Sequence, residues 1–215
     1  MKKILWSIIV IIVASFAIYF QHTKQINFYK YSKILTTFLI FLVPVLFSNS
    51  GKIKYKTLIL IGLLFCLIGD AFLLYNNYFI AGLISFLLAH IIFTYAFILI
   101  DGFNKKYGVL ALLLLICSSF FIILKASLGD LLIPVAIYML VIVCMNWQAI
   151  SLYLKKKNVS YLLLSFGAVL FLISDSILAY DKFKEPFSFA GILILITYWV
   201  AIGLFAFSTL KIKEV

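Results

Sequence analysis

The sequence predicts an all-α, polytopic membrane protein with about eight transmembrane helices. Three observations lead to this fold class: 66% of the 215 residues are hydrophobic, only 12% are charged, and the mean hydropathy is +1.22. A soluble domain has about 45–50% apolar and about 25% charged residues, so this composition cannot supply a water-exposed surface. We therefore expect a single transmembrane domain over residues 1–215, placed in the cell membrane as a multi-pass protein, with no separate soluble catalytic or nucleic-acid-binding domain.

Eight apolar runs are long enough to cross about 30 Å of hydrocarbon as helices. In chain order they cover residues 4–20, 31–47, 57–75, 79–100, 107–124, 131–154, 161–180 and 187–210. The first follows Lys2 and Lys3 and could be a signal peptide, but we interpret it as a retained helix because another membrane segment follows it. The second contains Pro44, which predicts a short or kinked helix.

The lysines predict how these spans are oriented. Eight spans place both termini on the same side, and an N-terminus inside gives twelve lysines to the inner segments and six to the outer ones. This bias predicts cytoplasmic termini.

All 18 basic residues are lysines, mostly in short loops, which is typical of topology signals and of contacts with anionic lipids, as at residues 155–157. We expect no nucleic-acid binding. The arginine-free composition, rich in Ile, Lys and Phe, favours an AT-rich bacterial gene.

A stretch of the third span is echoed in the seventh. Residues 62–70, followed by Tyr75 and Phe79, are similar to residues 167–175, followed by Tyr180 and Phe183, at a separation of 105 residues. Because this separation is close to half the chain, it predicts two parallel four-helix repeats in which the third and seventh helices are equivalent. The alternative is a chance similarity between apolar segments.

Two of the seven acidic residues lie inside predicted spans, Asp70 in the third and Asp175 in the seventh. A carboxylate there costs about 2.5–3.5 kcal/mol on insertion scales, so it needs an explanation. Each precedes the tyrosine that closes its run by five residues, which predicts that both lie about 8 Å below the outer end and face one cavity. Water can solvate the other five acids, which lie in loops or at span ends: Asp101, Asp130, Asp181, Glu185 and Glu214.

Further polar side chains are predicted near the level of the two carboxyl groups or deeper. They are His90 on the fourth span, Tyr138 and Asn146 on the sixth, Ser174 and Ser176 on the seventh, and Tyr198 on the eighth. We interpret Asp70, Asp175 and His90 as candidate catalytic residues. The alternative is that the aspartates are hydrogen-bonded contacts between helices. The three cysteines have no metal-ligand spacing, and we expect neither a metal nor a cofactor.

Two carboxyl groups in a poorly hydrated cavity do not both ionise readily, because burial and mutual repulsion oppose the second negative charge. One proton is retained near neutral pH, which supplies a general acid beside a general base. This division of labour suits ether-like bonds. The sequence shows no nucleophile elbow and no phosphate-binding loop, so acyl transfer and nucleotide chemistry are poorly supported. The same pair could instead relay protons in a transporter.

Segments from most of the chain resemble the YhhN family of eight-helix membrane proteins. They are residues 62–70 with Phe79, Gly82 and 86–90, Tyr138 with Met139, 167–171 with 174–176 and Phe183, and Tyr198. The animal members are lysoplasmalogenases, which hydrolyse the vinyl ether bond of lysoplasmalogens to a fatty aldehyde and a glycerophospho-headgroup. The family often has Tyr and Gln where this chain has Phe93 and Ile202.

The resemblance implies a membrane hydrolase of a lysophospholipid that uses water and needs no obligatory protein partner. It implies catalysis by Asp70, Asp175 and His90, in which one aspartate gives a proton to the alkenyl carbon and the other stabilises the resulting cation and directs water. Which aspartate has which role stays open. The predicted substrate-binding residues are Tyr138, Tyr198, Ser174, Ser176, Asn146 and Lys33, with Lys182 or Lys184 as alternatives near the phosphate. A proton-coupled transporter is the main alternative. An intramembrane aspartyl protease is disfavoured because the Gly-x-Gly-Asp motif is incomplete at residues 67–70.

Overall fold

Eight long α-helices make up nearly all of the computed structural model, which describes residues 1–48 and 53–212. They are α1 (Lys2–His22), α2 (Ile26–Phe47), α3 (Ile53–Phe72), α4 (Phe79–Asp101), α5 (Tyr107–Lys125), α6 (Leu132–Lys156), α7 (Val159–Phe183) and α8 (Ala190–Ser208). All eight are long and apolar enough to cross a membrane. Helices satisfy their backbone hydrogen bonds internally, as a lipid environment requires. The predicted all-α polytopic fold is confirmed.

Most helix ends differ from the predicted bounds by one to five residues, and two of these differences bear on the aspartates. α3 ends at Phe72 rather than Tyr75. The Leu74 and Tyr75 amides donate hydrogen bonds to the carbonyls three residues earlier, those of Ala71 and Phe72, and a 3₁₀ turn follows at Asn76–Tyr78. Asp70 therefore lies in the last turn of α3, whereas Asp175 lies two turns before the end of α7. The expectation that both aspartates lie equally far from their helix ends is wrong.

Further differences concern α8 and α2. α8 begins at Ala190, three residues later than predicted, after a loop that contains Pro186. α2 is longer than the short helix that Pro44 suggested, with 22 residues. Pro44 lies only three residues before the end of this helix, where the loss of one backbone donor removes little of the hydrogen-bond ladder.

The helix packing has the same pattern in the two halves of the chain. In the first half, α1 packs on α2, α2 on α3 and α3 on α4; in the second, α5 packs on α6, α6 on α7 and α7 on α8. The halves meet through α4 with α6 and through α8 with α2, which are corresponding pairs. This correspondence supports the predicted parallel repeat.

Glycines let α3 lie close to α4. A Cβ atom on Gly62 would collide with the ring of Phe93, and one on Gly69 would lie 2.7 Å from Phe86 Cε2. In addition, the Phe93 and Phe205 rings are 4.8 Å apart, which joins α4 to α8. Aromatic rings therefore fill the middle of the bundle, and α3, α4 and α8 meet there at short range.

The lysine-rich end of the bundle is expected to face the cytoplasm. The structure groups Lys2, Lys3, Lys54, Lys56, Lys105, Lys106, 155–157 and Lys211 at the end that holds the N-terminus; Lys52, Lys213 and Glu214 lie outside the described residues. A reporter that is active only in the cytoplasm, fused after Val215, should therefore give a signal. The same reporter inserted between α7 and α8 is the matched control and should be silent. The reverse pattern would overturn this orientation.

Candidate active site

Asp70 is a fully buried carboxyl group with three polar partners. Its Oδ2 atom accepts hydrogen bonds from Thr37 Oγ1 at 2.6 Å and from Tyr198 Oη at 2.8 Å. Its Oδ1 atom lies 3.2 Å from Lys33 Nζ. Lys33 and Thr37 are four residues apart on α2, so one helix face presents both to α3. These partners together compensate a negative charge on Asp70, which is the environment of an ionised carboxylate.

A second layer holds Thr37 in place. Trp199 Nε1 donates a hydrogen bond to Thr37 Oγ1 at 3.1 Å. Helix α8 therefore interacts with Asp70 directly through Tyr198 and indirectly through Trp199 and Thr37. Both indole and hydroxyl are buried. The Thr37 hydroxyl is thereby committed as a donor to Asp70.

Asp175 has a different environment. Tyr138 Oη donates a hydrogen bond to its Oδ2 at 2.6 Å, and His90 Nε2 lies 3.6 Å from the same oxygen. Among the lysines that the structure describes, none forms an ion pair with Asp175. Its side chain is 16% exposed, against 2% for that of Asp70, so Asp175 is the more accessible of the two carboxyl groups.

His90 is enclosed by aromatic rings. The ring centroid of Phe171 is 4.5 Å away and that of Tyr138 is 5.3 Å away, both in edge-to-face contact. Neither imidazole nitrogen has a hydrogen-bond partner within the described part of the chain. His90 therefore contacts Asp175 from the protein side and does not line either cavity that Asp175 lines.

The partners of the two aspartates correspond between the halves. Lys33 and Tyr138 are 105 residues apart, as are Asp70 and Asp175, and each contacts the aspartate of its own half. His90 and Tyr198 are 108 residues apart, and each contacts the aspartate of the other half. Equivalent positions thus surround equivalent carboxyl groups, but with different side chains.

Asp70 and Asp175 line one polar cavity of about 300 Å³ near the helix ends. Polar side chains that also line it are Gln21, Tyr29, Lys33, Asn76, Ser174, Asp181, Lys182 and Tyr198. An apolar groove of about 210 Å³ lies between α4, α5, α6 and α7, and Asp175 and Tyr138 line this groove too. Asp175 therefore stands where a polar cavity and an apolar groove meet.

The predicted binding residues are only partly brought together. Ser174 lines the polar cavity and donates a hydrogen bond to the Ile194 carbonyl, and Ser176 lines the apolar groove and donates one to the Leu172 carbonyl. Lys33 lines the polar cavity, but its ammonium group is bound to Asp70 rather than free for a phosphate.

Asn146 lines neither cavity, so the structure does not bring it together with the other predicted binding residues. It lies eight residues beyond Tyr138 on α6, about 12 Å along the axis, and its amide bonds to the Ile142 carbonyl at 2.9 Å. Of the two alternative lysines, Lys182 lines the polar cavity and Lys184 lines neither.

Sequence reasoning missed Thr37, Trp199 and Gln21. Thr37 carried one usable signal, its four-residue spacing from Lys33, which puts both on the same helix face. Trp199 and Gln21 carried none, because contacts between distant helices depend on packing. Among residues 1–48 and 53–212, no group of three or more His, Cys, Asp or Glu side chains could hold a metal ion.

The positions at which the family often has Tyr and Gln belong to the packed core. Phe93 and Ile202 are fully buried. Tyr95 is 56% exposed on the outer surface of α4, so it cannot supply a hydroxyl group in place of the one that Phe93 lacks. Phe93 packs against Gly62 and Phe205, and the hydroxyl groups bound to the two aspartates come from other residues.

Comparisons with known proteins give one consistent result. The family model described as the YhhN family matches residues 28–209. Lysoplasmalogenase TMEM86B of Homo sapiens is 31% identical over 158 residues, 72% of this chain and 65% of the relative. Lysoplasmalogenase TMEM86A of Bos taurus is 32% identical over 164 residues, 74% of this chain and 67% of the relative. The chain thus spans about two thirds of the length of these relatives. No solved structure matches it significantly.

Proposed function

Because the chain belongs to the YhhN family, we propose that it is a membrane hydrolase that cleaves the vinyl ether bond of a lysoplasmalogen. The products are a fatty aldehyde and a glycerophospho-headgroup. The relatives named lysoplasmalogenase support this substrate class. The observation that carries the proposal is the position of Asp175 between an apolar groove and a polar cavity.

A single-chain lipid fits this arrangement in one orientation. Its hydrocarbon chain suits the groove, which side chains such as Ile116, Phe120 and Leu172 line, and its glycerophosphate suits the polar cavity. The vinyl ether lies between chain and glycerol, so it would reach the boundary at Asp175. Lys182 is the lysine of this cavity that is not bound to Asp70, and it is available for the phosphate.

The surroundings of the two carboxyl groups support different roles. Lys33 and two hydroxyl donors stabilise the charged form of Asp70, so Asp70 serves as the carboxylate. Asp175 has no such countercharge among the described residues, so it retains the proton and serves as the general acid. Tyr138 fixes Asp175 by its hydrogen bond, and His90 packs against the same carboxyl oxygen from the protein side and helps to hold its orientation.

The reaction then balances as follows. The proton of the Asp175 carboxyl passes to the β-carbon of the alkenyl group, whose double-bond electrons form the new C–H bond and leave an oxocarbenium ion. The negative charge of Asp70 stabilises that cation, and water adds to it while one of its protons passes to the Asp175 carboxylate, which restores the acid. The hemiacetal then breaks its C–O bond to the glycerol as its hydroxyl proton passes to the glycerol oxygen, releasing aldehyde and alcohol. The site thus combines acid catalysis with electrostatic stabilisation of the cation.

A proton-coupled transporter would need the carboxyl groups to reach both sides of the membrane in turn. The cavity opens near one end of the bundle, and aromatic rings pack on its other side. Phe171 lies against His90, and the Phe171 and Phe205 rings stack with centroids 6.4 Å apart. This packing closes the inner side of the cavity, which favours the hydrolase over a pathway across the membrane.

Purified protein in lipid nanodiscs, incubated with a 1-alkenyl lysophospholipid, is expected to release fatty aldehyde. The matched 1-alkyl lipid differs only in lacking the double bond that accepts the proton, so it should release none. Aldehyde detection by hydrazone formation measures both. If the alkenyl lipid yields no aldehyde while the protein supports proton-linked flux in liposomes, the transporter alternative is correct and the hydrolase proposal fails.

A further inference from the structure

Helix α1 contributes a side chain to the polar cavity although it lies before the region that the family model matches. Gln21, in the last turn of α1, lines the cavity. Its Oε1 atom is buried and has no hydrogen-bond partner in the described part of the chain. A buried acceptor without a partner is costly, so a ligand donor at this position would be favourable.

Gly191 holds the Gln21 amide in place. A Cβ atom at Gly191, at the start of α8, would collide with Gln21 Nε2 and lie 2.8 Å from Gln21 Cδ. The amide thus occupies the space that the missing side chain leaves. Gly203 on the same helix has nothing within 4 Å of an added Cβ, so close contact is specific to Gly191.

The cavity has one carboxylate and one ammonium group that do not neutralise each other. Lys33 and Asp70 form an ion pair, whereas Asp181 and Lys182 form none with each other among the described residues. Asp181 Oδ1 accepts the Phe187 amide at 3.1 Å, which leaves its other oxygen as an acceptor. Lys182 Nζ lies 5.0 Å from the centre of the Phe79 ring. This pair of charges complements a zwitterionic headgroup.

We propose that Gln21 and Asp181 form a subsite for a primary ammonium group, so that the preferred substrate carries a phosphoethanolamine headgroup with its phosphate towards Lys182. An ethanolamine ammonium offers three N–H donors to these oxygen acceptors. A choline headgroup has no N–H donor, so it cannot give hydrogen bonds to the Gln21 and Asp181 oxygens. This inference rests on the proposed function because it places the headgroup of that substrate.

The test measures binding of lipids that cannot react. Saturated 1-alkyl glycerophosphoethanolamine and 1-alkyl glycerophosphocholine are titrated into the protein in nanodiscs by calorimetry. We expect about tenfold tighter binding of the ethanolamine lipid, the effect of one hydrogen bond to a charged group. Gln21→Ala and Gly191→Ala should remove most of this difference, whereas Gln21→Glu, which keeps an acceptor, and Gly203→Ala should preserve it.

Equal affinities of the unchanged protein for the two lipids would overturn the subsite, and so would a Gln21→Ala variant that keeps the full difference. Melting temperatures identify a Gly191→Ala variant that fails to fold, in which case Gln21→Ala alone decides. Because the ligands lack the vinyl ether, the result does not depend on catalysis. A protein that discriminates the headgroups but releases no aldehyde from alkenyl lipids would contradict the proposed function and leave the subsite standing.

Discussion

Replacing Asp175 by Asn is expected to lower the rate of aldehyde release by about a thousandfold, within the range of about 10²–10⁴ that a general acid contributes. Asn has nearly the same shape and can still accept the hydrogen bond that Tyr138 donates at 2.6 Å. It cannot give a proton to the alkenyl carbon. The loss should therefore fall on kcat, measured with saturating alkenyl lipid in nanodiscs, while binding of the 1-alkyl lipid changes little.

Asp130→Asn is the matched control for this experiment. It makes the same chemical change in an exposed 3₁₀ turn, Gly129–Leu131, and should leave the rate unchanged. The proposed site is wrong if both Asp175→Asn and Asp70→Asn keep full activity. A loss with Asp70→Asn alone would assign the acid role to the other carboxyl group.

Replacing Lys33 by Met is expected to lower the free energy of unfolding by about 3–5 kcal/mol. Asp70 is buried, and Lys33 is its one cationic partner among the described residues. Met fills similar space but leaves the carboxylate without its countercharge. The change should appear as a lower unfolding midpoint in a detergent titration of the purified protein, followed by tryptophan fluorescence.

Two further variants show whether the loss comes from the ion pair. Lys30→Met makes the same substitution one turn earlier on α2, where Lys30 is partly exposed over the Tyr75 ring at 4.2 Å, and should cost less than about 1 kcal/mol. Adding Asp70→Asn to Lys33→Met removes the uncompensated charge and should recover much of the lost stability. Equal stability of Lys33→Met and the unchanged protein would contradict this account of Asp70.

The sequence is sufficient to predict the helices because lipid imposes a minimum length on apolar runs, and charge is scarce enough in this chain for Asp70 and Asp175 to stand out. The similarity of residues 62–70 to residues 167–175 also made it possible to predict that the two carboxyl groups face one cavity. The helices and the buried carboxyl groups can be predicted because each depends on the residues of a single chain segment.

Contacts between segments could not be predicted in the same way. Lys33 was expected near a phosphate and instead pairs with Asp70, because the rotation of α2 about its axis is decided by packing against α3 and α8. Asn146 was placed in the site by its polarity, although its axial position puts it two turns away from Tyr138. Gln21 lines the cavity because the end of α1 packs against the start of α8, and no local sequence pattern predicts this contact.

The correspondence between Lys33 and Tyr138 bears on how acid–base chemistry can arise in a duplicated protein. Two identical halves would give two carboxyl groups in identical surroundings, and nothing in those surroundings would decide which of the two keeps the proton. Here one equivalent position holds a cation and the other a neutral hydroxyl group, each within hydrogen-bonding reach of its own aspartate. Together with the difference between His90 and Tyr198, this divergence breaks the symmetry, so the fold could acquire two chemically distinct carboxyl groups without any new architecture.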